Sequence, residues 1–222
     1  MSFPFSAVLF DLDGTLVDSA ADITAAINRL LAEEGLEQVE EAMVRSWIGD
    51  GTAVLLATAL QHAGSHRSAA ELLPRFMVHY GDSLLLSPRV YPGVVETLDE
   101  LAARGVPMAV CTNKPEPFVG PLLEHVGLAQ RFAAVVGAGT LPERKPHPRP
   151  LLHLAAHLET AVDDCLMVGD SETDFLAARA AGMPVVLVSY GYARSFDLRA
   201  AGALAVIDRA EDLLDLPVPA AP

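Results

Sequence analysis

Basic residues are scarce in this chain. Its 222 residues include 15 Lys and Arg against 29 Asp and Glu, a formal net charge of −14. That sign repels nucleic acid and anionic membranes, so neither is expected as a partner. It also means that an anionic ligand would need positive charge supplied locally. Cysteine is scarcer: Cys111 and Cys165 are the only two, each inside an apolar run, and both read as buried free thiols. The start "MSFPFSAVLF" lacks a basic region and a small-residue cleavage site, which points to a reducing, cytoplasmic setting. No apolar run is long enough to span a bilayer.

Several catalytic signatures are missing too. "GAGTLPERK" holds glycines and a lysine but no Gly-Lys-Ser/Thr, so it is not a phosphate-binding P-loop. No G-x-G-x-x-G opens a helix after a strand, and no G-x-S-x-G elbow occurs. His153 and His157 are four apart, but no H-E-x-x-H frame or cysteine pair accompanies them, so they read as a helix surface.

What remains is apolar and ordered. Hydrophobic residues make up 51% of the chain and charged residues 20%, which excludes a disordered chain. Short β-branched runs recur at 6–10, 106–111, 132–137, 164–169, 184–189 and 204–207. They are nearly continuous rather than alternating, as in parallel strands covered on both faces. Helical patterns at 92–104, 115–126, 148–158 and 172–181 fall between them. This alternation predicts an α/β fold, a doubly wound and mostly parallel Rossmann-like sheet.

Residues 18–88 break the alternation. Ser19 or Asp18 can cap a helix with Ile23, Ile27, Leu30 and Leu31 on its apolar face, and Gly35 ends it. Helical patterns follow at 40–48, 52–63 and 68–82, with no convincing strand. The expected division is a core of 1–17 and 89–222, with 18–88 as an inserted all-helical cap. The tail "DLPVPAAP" is expected to fray. Met167, Phe175 and Trp47 read as core or cap packing.

Ligands bind beyond the carboxyl ends of strands in such sheets. Asp11 and Asp13 follow the first strand, Thr112, Asn113 and Lys114 the second, Lys145 the third, and Asp170 and Asp174 the fourth. Each alone is ordinary loop polarity. Together, at four strand ends, they read as one site.

"DLDGT", then a Thr after a strand, then a Lys, then "GDSETD", in that order, resembles the haloacid dehalogenase-like hydrolase superfamily. The resemblance implies Mg²⁺-dependent phosphoryl transfer through an aspartyl-phosphate. Asp11, Asp170 and the backbone carbonyl of Asp13 would hold the metal. Asp11 would attack phosphorus, with Lys145 and the metal offsetting charge. Asp13, two residues on along an extended backbone, would protonate the leaving oxygen and later deprotonate water. Thr112 and Asn113 would hold phosphoryl oxygens. Asp174 is either a support for other ligands, a helix cap or a direct ligand, and Ser171 a helix cap. The dehalogenase branch lacks a second Asp, so Asp13 points to phosphatases or phosphomutases.

Gly49 and Gly51 in "VRSWIGDGTAVLL" read either as a substrate-specificity loop or as a helix stop and restart. Arg45 either reaches a substrate carboxylate or is solvated. With "CTNKPE", "TLPERKPHPRPLL" and "VSYGYA", this stretch resembles the bacterial phosphoglycolate phosphatases, although Gly139 stands where an Asp is common. The resemblance implies hydrolysis of a small phosphorylated metabolite, 2-phosphoglycolate first. The alternatives are another small-substrate phosphatase acting on a sugar phosphate, nucleotide or pyrophosphate, a sugar phosphomutase, or a non-catalytic binding protein. A monomer and a homodimer are both open.

Overall fold

A computed structural model describes residues 3–192 and 195–216. Its centre is β1 (Ala7–Phe10), four apolar residues buried throughout. Alternate side chains go to opposite sides of a strand. Ala7 and Leu9 accordingly pack in one core and Val8 and Phe10 in another, which is why the run shows no polar alternation. Val8, Leu9 and Phe10 each contribute roughly 1.5–3 kcal/mol when fully buried, and Ala7 less.

The chain leaves β1 through β2 (Val17–Asp18) and returns through β3 (Arg89–Val90). These two form an antiparallel ribbon, Val17 opposite Val90 and Asp18 opposite Arg89. Between them lie only helices: α1 (Ala20–Glu33), α2 (Glu41–Arg45), α3 (Thr52–His62) and α4 (Ala69–Ser83). Helix α1 buries the predicted stripe of Ile23, Ile27, Leu30 and Leu31, in one core with Leu72, Phe76 and Tyr80 of α4. The ribbon was not expected, because a two-residue strand is too short to show a period. Only Glu41–Arg45 of the expected 40–48 helix forms.

After β3 come α5 (Val94–Ala103), β4 (Met108–Pro115), α6 (Glu116–His125), β5 (Ala134–Ala138), α7 (Arg149–His157), β6 (Cys165–Gly169), α8 (Glu172–Ala181), β7 (Val185–Val188) and β8 (Ala205–Ile207). The sheet order is β5-β4-β1-β6-β7-β8. Every pairing in it is parallel. This is the doubly wound α/β sheet expected from the sequence. One strand differs: β4 continues four residues past its expected end, so Thr112, Asn113 and Lys114 belong to the strand rather than follow it. Its register against β5 shifts between Cys111 and Pro115, and the irregularity lets polar residues continue an apolar strand.

Cys111 and Cys165 are buried free thiols, as expected. Met167 and Phe175 are buried, and Trp47 is half-buried beside the His62 ring. His153 and His157 are exposed. No helix among the described residues is long and apolar enough to cross a membrane. Of the tail expected to fray, Pro217 onward lies outside the described residues.

Candidate active site

Strand β1 is paired on both sides, with β4 and with β6. Its carboxyl end therefore meets the ends of both neighbours. Asp11 stays in the ladder, its N–H donating to the Val168 carbonyl at 2.9 Å. The chain then turns at Gly14, where φ is 91°. A Cβ there would stand 2.2 Å from Asp170 Oδ2, so only glycine allows the two segments to meet. Gly14→Ala should separate Asp11 from Asp170 and cost at least about 1 kcal/mol in denaturant unfolding, with most turnover lost.

Asp11, Asp170 and Asp174 each offer a carboxylate oxygen, all within 4.8 Å of one another and all buried. Burial, then the Asp174 charge, pushes the Asp11 carboxyl up to about 7 against the pull of Lys145. Burial, then Asp11 and Asp174, raises Asp170 well above the carboxylate range. One ammonium faces this group: Lys145 Nζ lies 2.9 Å from Asp11 Oδ1 and 2.6 Å from Asp174 Oδ1. Burial opposes charge on Lys145, but Asp11 and Asp174 outweigh it and hold the ammonium charged. Asp11 Oδ1 is buried with no aligned hydrogen bond. Three buried carboxylates against one ammonium suit a hard divalent cation.

The three carboxylates are not equivalent. Asp170 Oδ2 accepts from the Tyr192 N–H at 2.8 Å, and Oδ1 is 3.4 Å from the Thr15 hydroxyl. Asp174 has both oxygens engaged: Oδ1 by Lys145, and Oδ2 by the Ser171 N–H at 3.1 Å and hydroxyl at 2.6 Å. Ser171 caps α8 as expected, and Asp174 completes the reciprocal pair. Of the readings open for Asp174, this geometry favours support: it caps a helix and anchors Lys145.

Asp13 points elsewhere. Its Oδ1 accepts from the Ser19 hydroxyl at 2.6 Å and from Lys114 Nζ at 3.1 Å. Ser19 stands at the start of α1, but its hydroxyl makes no cap bond there; Asp18 Oδ1 accepts from the Ala20 N–H instead. Lys114 also donates to the Tyr80 hydroxyl of α4 at 2.5 Å, and its side chain is fully buried. No role for Lys114, Tyr80 or Tyr192 was expected. The available signal was a lysine directly after the buried run "MAVCTN".

Thr112 Oγ1 accepts from the Lys114 N–H at 3.1 Å, which leaves its own O–H able to donate. Asn113 donates from Nδ2 to the Gly49 carbonyl at 3.0 Å and to the Lys145 carbonyl at 2.9 Å. An amide has two N–H groups. Both are taken, so a phosphoryl oxygen could use the Asn113 side-chain amide only by displacing a carbonyl. The Gly49–Gly51 loop is also held by Thr173, whose hydroxyl donates to Asp50 Oδ1 at 2.6 Å. Gly51 stands at the start of α3 and the loop lies against the sheet, so the stop-and-restart reading and the loop-over-site reading describe one segment. A cavity of about 30 Å³ remains below it, lined by Asp11, Asp13, Ile48, Tyr80, Thr112 and Lys114 among others.

Arg45 does not line that cavity. It pairs with Asp18 at 2.6 Å and Glu41 at 2.8 Å, its guanidinium 5.4 Å from the centre of the Tyr192 ring. It is thus neither simply solvated nor aimed at the site. Gly139 is exposed after β5.

The geometry can be compared with known proteins. A phosphoglycolate phosphatase of Rhodospirillum rubrum is 46% identical over 209 residues, 91% of this chain and 86% of that protein. Phosphoglycolate phosphatase 1 of Pseudomonas aeruginosa is 44% identical over 212 residues, 93% of this chain and 78% of that one. The crystal structure of a predicted phosphoglycolate phosphatase from Haemophilus somnus 129pt superposes with a TM-score of 0.88 at 36% identity, covering 96% of this chain and 97% of that one. A family profile described as haloacid dehalogenase-like hydrolase matches residues 8–188, from β1 to the end of β7, and the chain belongs to that family.

Proposed function

We propose that this protein is a Mg²⁺-dependent phosphatase that hydrolyses a small phosphate monoester, foremost 2-phosphoglycolate, through an aspartyl-phosphate on Asp11. The observation that carries this reading is the separation of two neighbouring aspartates: Asp11 beside Lys145, Asp170 and Asp174, and Asp13 beside Ser19 and Lys114. Two carboxylates two residues apart thus have different partners and can do different work.

Asp11, Asp170 and the backbone carbonyl of Asp13 would hold Mg²⁺, which supplies charge neutralisation at the phosphoryl oxygens when bound. Asp11 forms the new bond to phosphorus as the ester P–O bond breaks. Asp13 gives its proton to the departing oxygen. It then takes a proton from the water that attacks phosphorus, which frees phosphate and restores Asp11. Lys145 holds Asp11 against repulsion from the substrate, and the Thr112 hydroxyl donates to a phosphoryl oxygen. By formal charge the site has two side-chain cations, Lys145 and Lys114, one more than expected from the sequence.

Residues 18–88 act as a cap over this core, with the Gly49–Gly51 loop at its closing edge. The phosphoglycolate phosphatases at 44–46% identity support the substrate.

A panel of phosphate monoesters with phosphate release as readout tests this. The expected order puts 2-phosphoglycolate at least about tenfold above hexose phosphates and nucleotides in kcat/KM. Sugar phosphates leading the panel would remove the substrate. Isomerised sugar phosphate without phosphate release would replace a phosphatase by a mutase.

A further inference from the structure

Lys114 takes no part in attack or metal binding in the reading above, yet its position is costly. Its ammonium is wholly shielded from solvent, and burying an unpaired charge costs several kcal/mol. Asp13 and Tyr80 are what hold it there. Both belong to segments far away in the chain: Asp13 to the end of β1, Tyr80 to α4 of the helical insertion.

The contacts with Asp13 are asymmetric. Asp13 Oδ1 receives two donors, Ser19 Oγ at 2.6 Å and Lys114 Nζ at 3.1 Å, while Oδ2 lies 3.4 Å from Lys114. Oδ1 is thereby the more firmly held oxygen, and Oδ2 keeps only the longer contact with Lys114. Tyr80 completes the arrangement, accepting from Lys114 at 2.5 Å with its ring 4.8 Å from Nζ. The Tyr80 ring is itself set by neighbours, Phe76 at 5.7 Å and Phe118 at 4.9 Å between ring centres.

We infer that Lys114 is a positioning residue that orients Asp13 for proton transfer to the leaving group, and that Tyr80 makes this orientation depend on the docked helical insertion. The inference rests on the phosphatase reading, because it needs Asp13 to serve as the acid. Lys114 does not touch the reacting atoms; it fixes which Asp13 oxygen faces them.

The test uses esters that differ in their need for a proton. An alkoxide leaves poorly unless protonated, whereas p-nitrophenolate leaves without help. The value of kcat/KM reports the steps up to loss of the leaving group. With Lys114→Met, kcat/KM for 2-phosphoglycolate and for ethyl phosphate is expected to fall about 10²-fold, and for p-nitrophenyl phosphate less than about fivefold. Tyr80→Phe keeps the ring and removes only the hydroxyl. It is expected to give the same pattern at about 3–10-fold, and it guards against a folding defect in the lysine variant.

Equal losses on all three esters in both variants would overturn the inference and make Lys114 a phosphoryl contact or a structural ion. A loss confined to 2-phosphoglycolate would overturn it differently, by making Lys114 the partner of the substrate carboxylate. Wild-type protein inactive on every ester would instead end the phosphatase reading, and this inference with it.

Discussion

Asp11→Asn is expected to abolish turnover and, in the absence of metal, to stabilise the protein. The first effect follows from losing the attacking group. Removing a nucleophile in an assembled site costs at least about 10⁴-fold in kcat. The second follows from the charge crowd around Asp11. An acid with a higher pKa in the folded chain binds more protons folded than unfolded between the two values. Folding stability then falls as pH rises through that window. For Asp11 the window runs from 3.8 to about 7. Asparagine has the same shape and no charge, so the loss disappears. Lys145 keeps Asp174 at 2.6 Å and stays paired. A melting temperature roughly 2–6 °C above wild type at pH 7.5 is expected, shrinking to no difference near pH 4. Near wild-type activity would remove Asp11 as nucleophile. A variant that melts lower at pH 7.5 would overturn the account of crowded charge while leaving the nucleophile intact.

Removing divalent metal is the second large effect. EDTA is expected to eliminate turnover, and Mg²⁺ to restore it. A measurement independent of activity exists as well. At 100 times its dissociation constant a ligand adds about 2.7 kcal/mol, roughly 5–10 °C for a chain of this size. Metal competes with protons for the carboxylates. Asp11 ionises in the folded protein only near pH 7, and Asp170 is also raised. The thermal shift from Mg²⁺ should therefore be large at pH 7.5 and small at pH 5. Asp170→Asn should lose it at both. Full turnover in EDTA would sink the metal proposal. A shift independent of pH would place the ion away from these carboxylates.

The sheet was legible because its strands are covered on both faces. "AVLF", "CLMVG" and "VVLV" need no polar alternation, so each shows as an unbroken run. The site was legible because charged residues at the ends of such runs have little reason to be there singly. Asp11, Asp13, Lys145, Asp170 and Asp174 all lie at one end of the sheet. Lys114 was legible as a strand-end residue of the site but its role was not, for a physical reason. Only a buried ion pair explains a lysine there, and its partners lie 101 and 34 residues away. The sequence offers Asn113 as a donor to phosphate but cannot show that its side-chain amide already serves two carbonyls. Arg45 carried two readings, and neither included Asp18, 27 positions earlier on the connecting ribbon.

The position of β1 in the sheet also governs the order in which the molecule can form. It precedes every other strand of this sheet in the chain, yet its partners are Met108–Val110 on one side and Cys165–Val168 on the other. During vectorial synthesis it must wait, apolar and unpaired, while the helices between β2 and β3 emerge and associate locally. Such distant pairings close slowly and leave a strand open to intermolecular pairing meanwhile. Asp11 cannot meet Asp170 until the chain has passed β6. A nascent or truncated chain ending before that strand would hold Asp11 without Asp170 beside it.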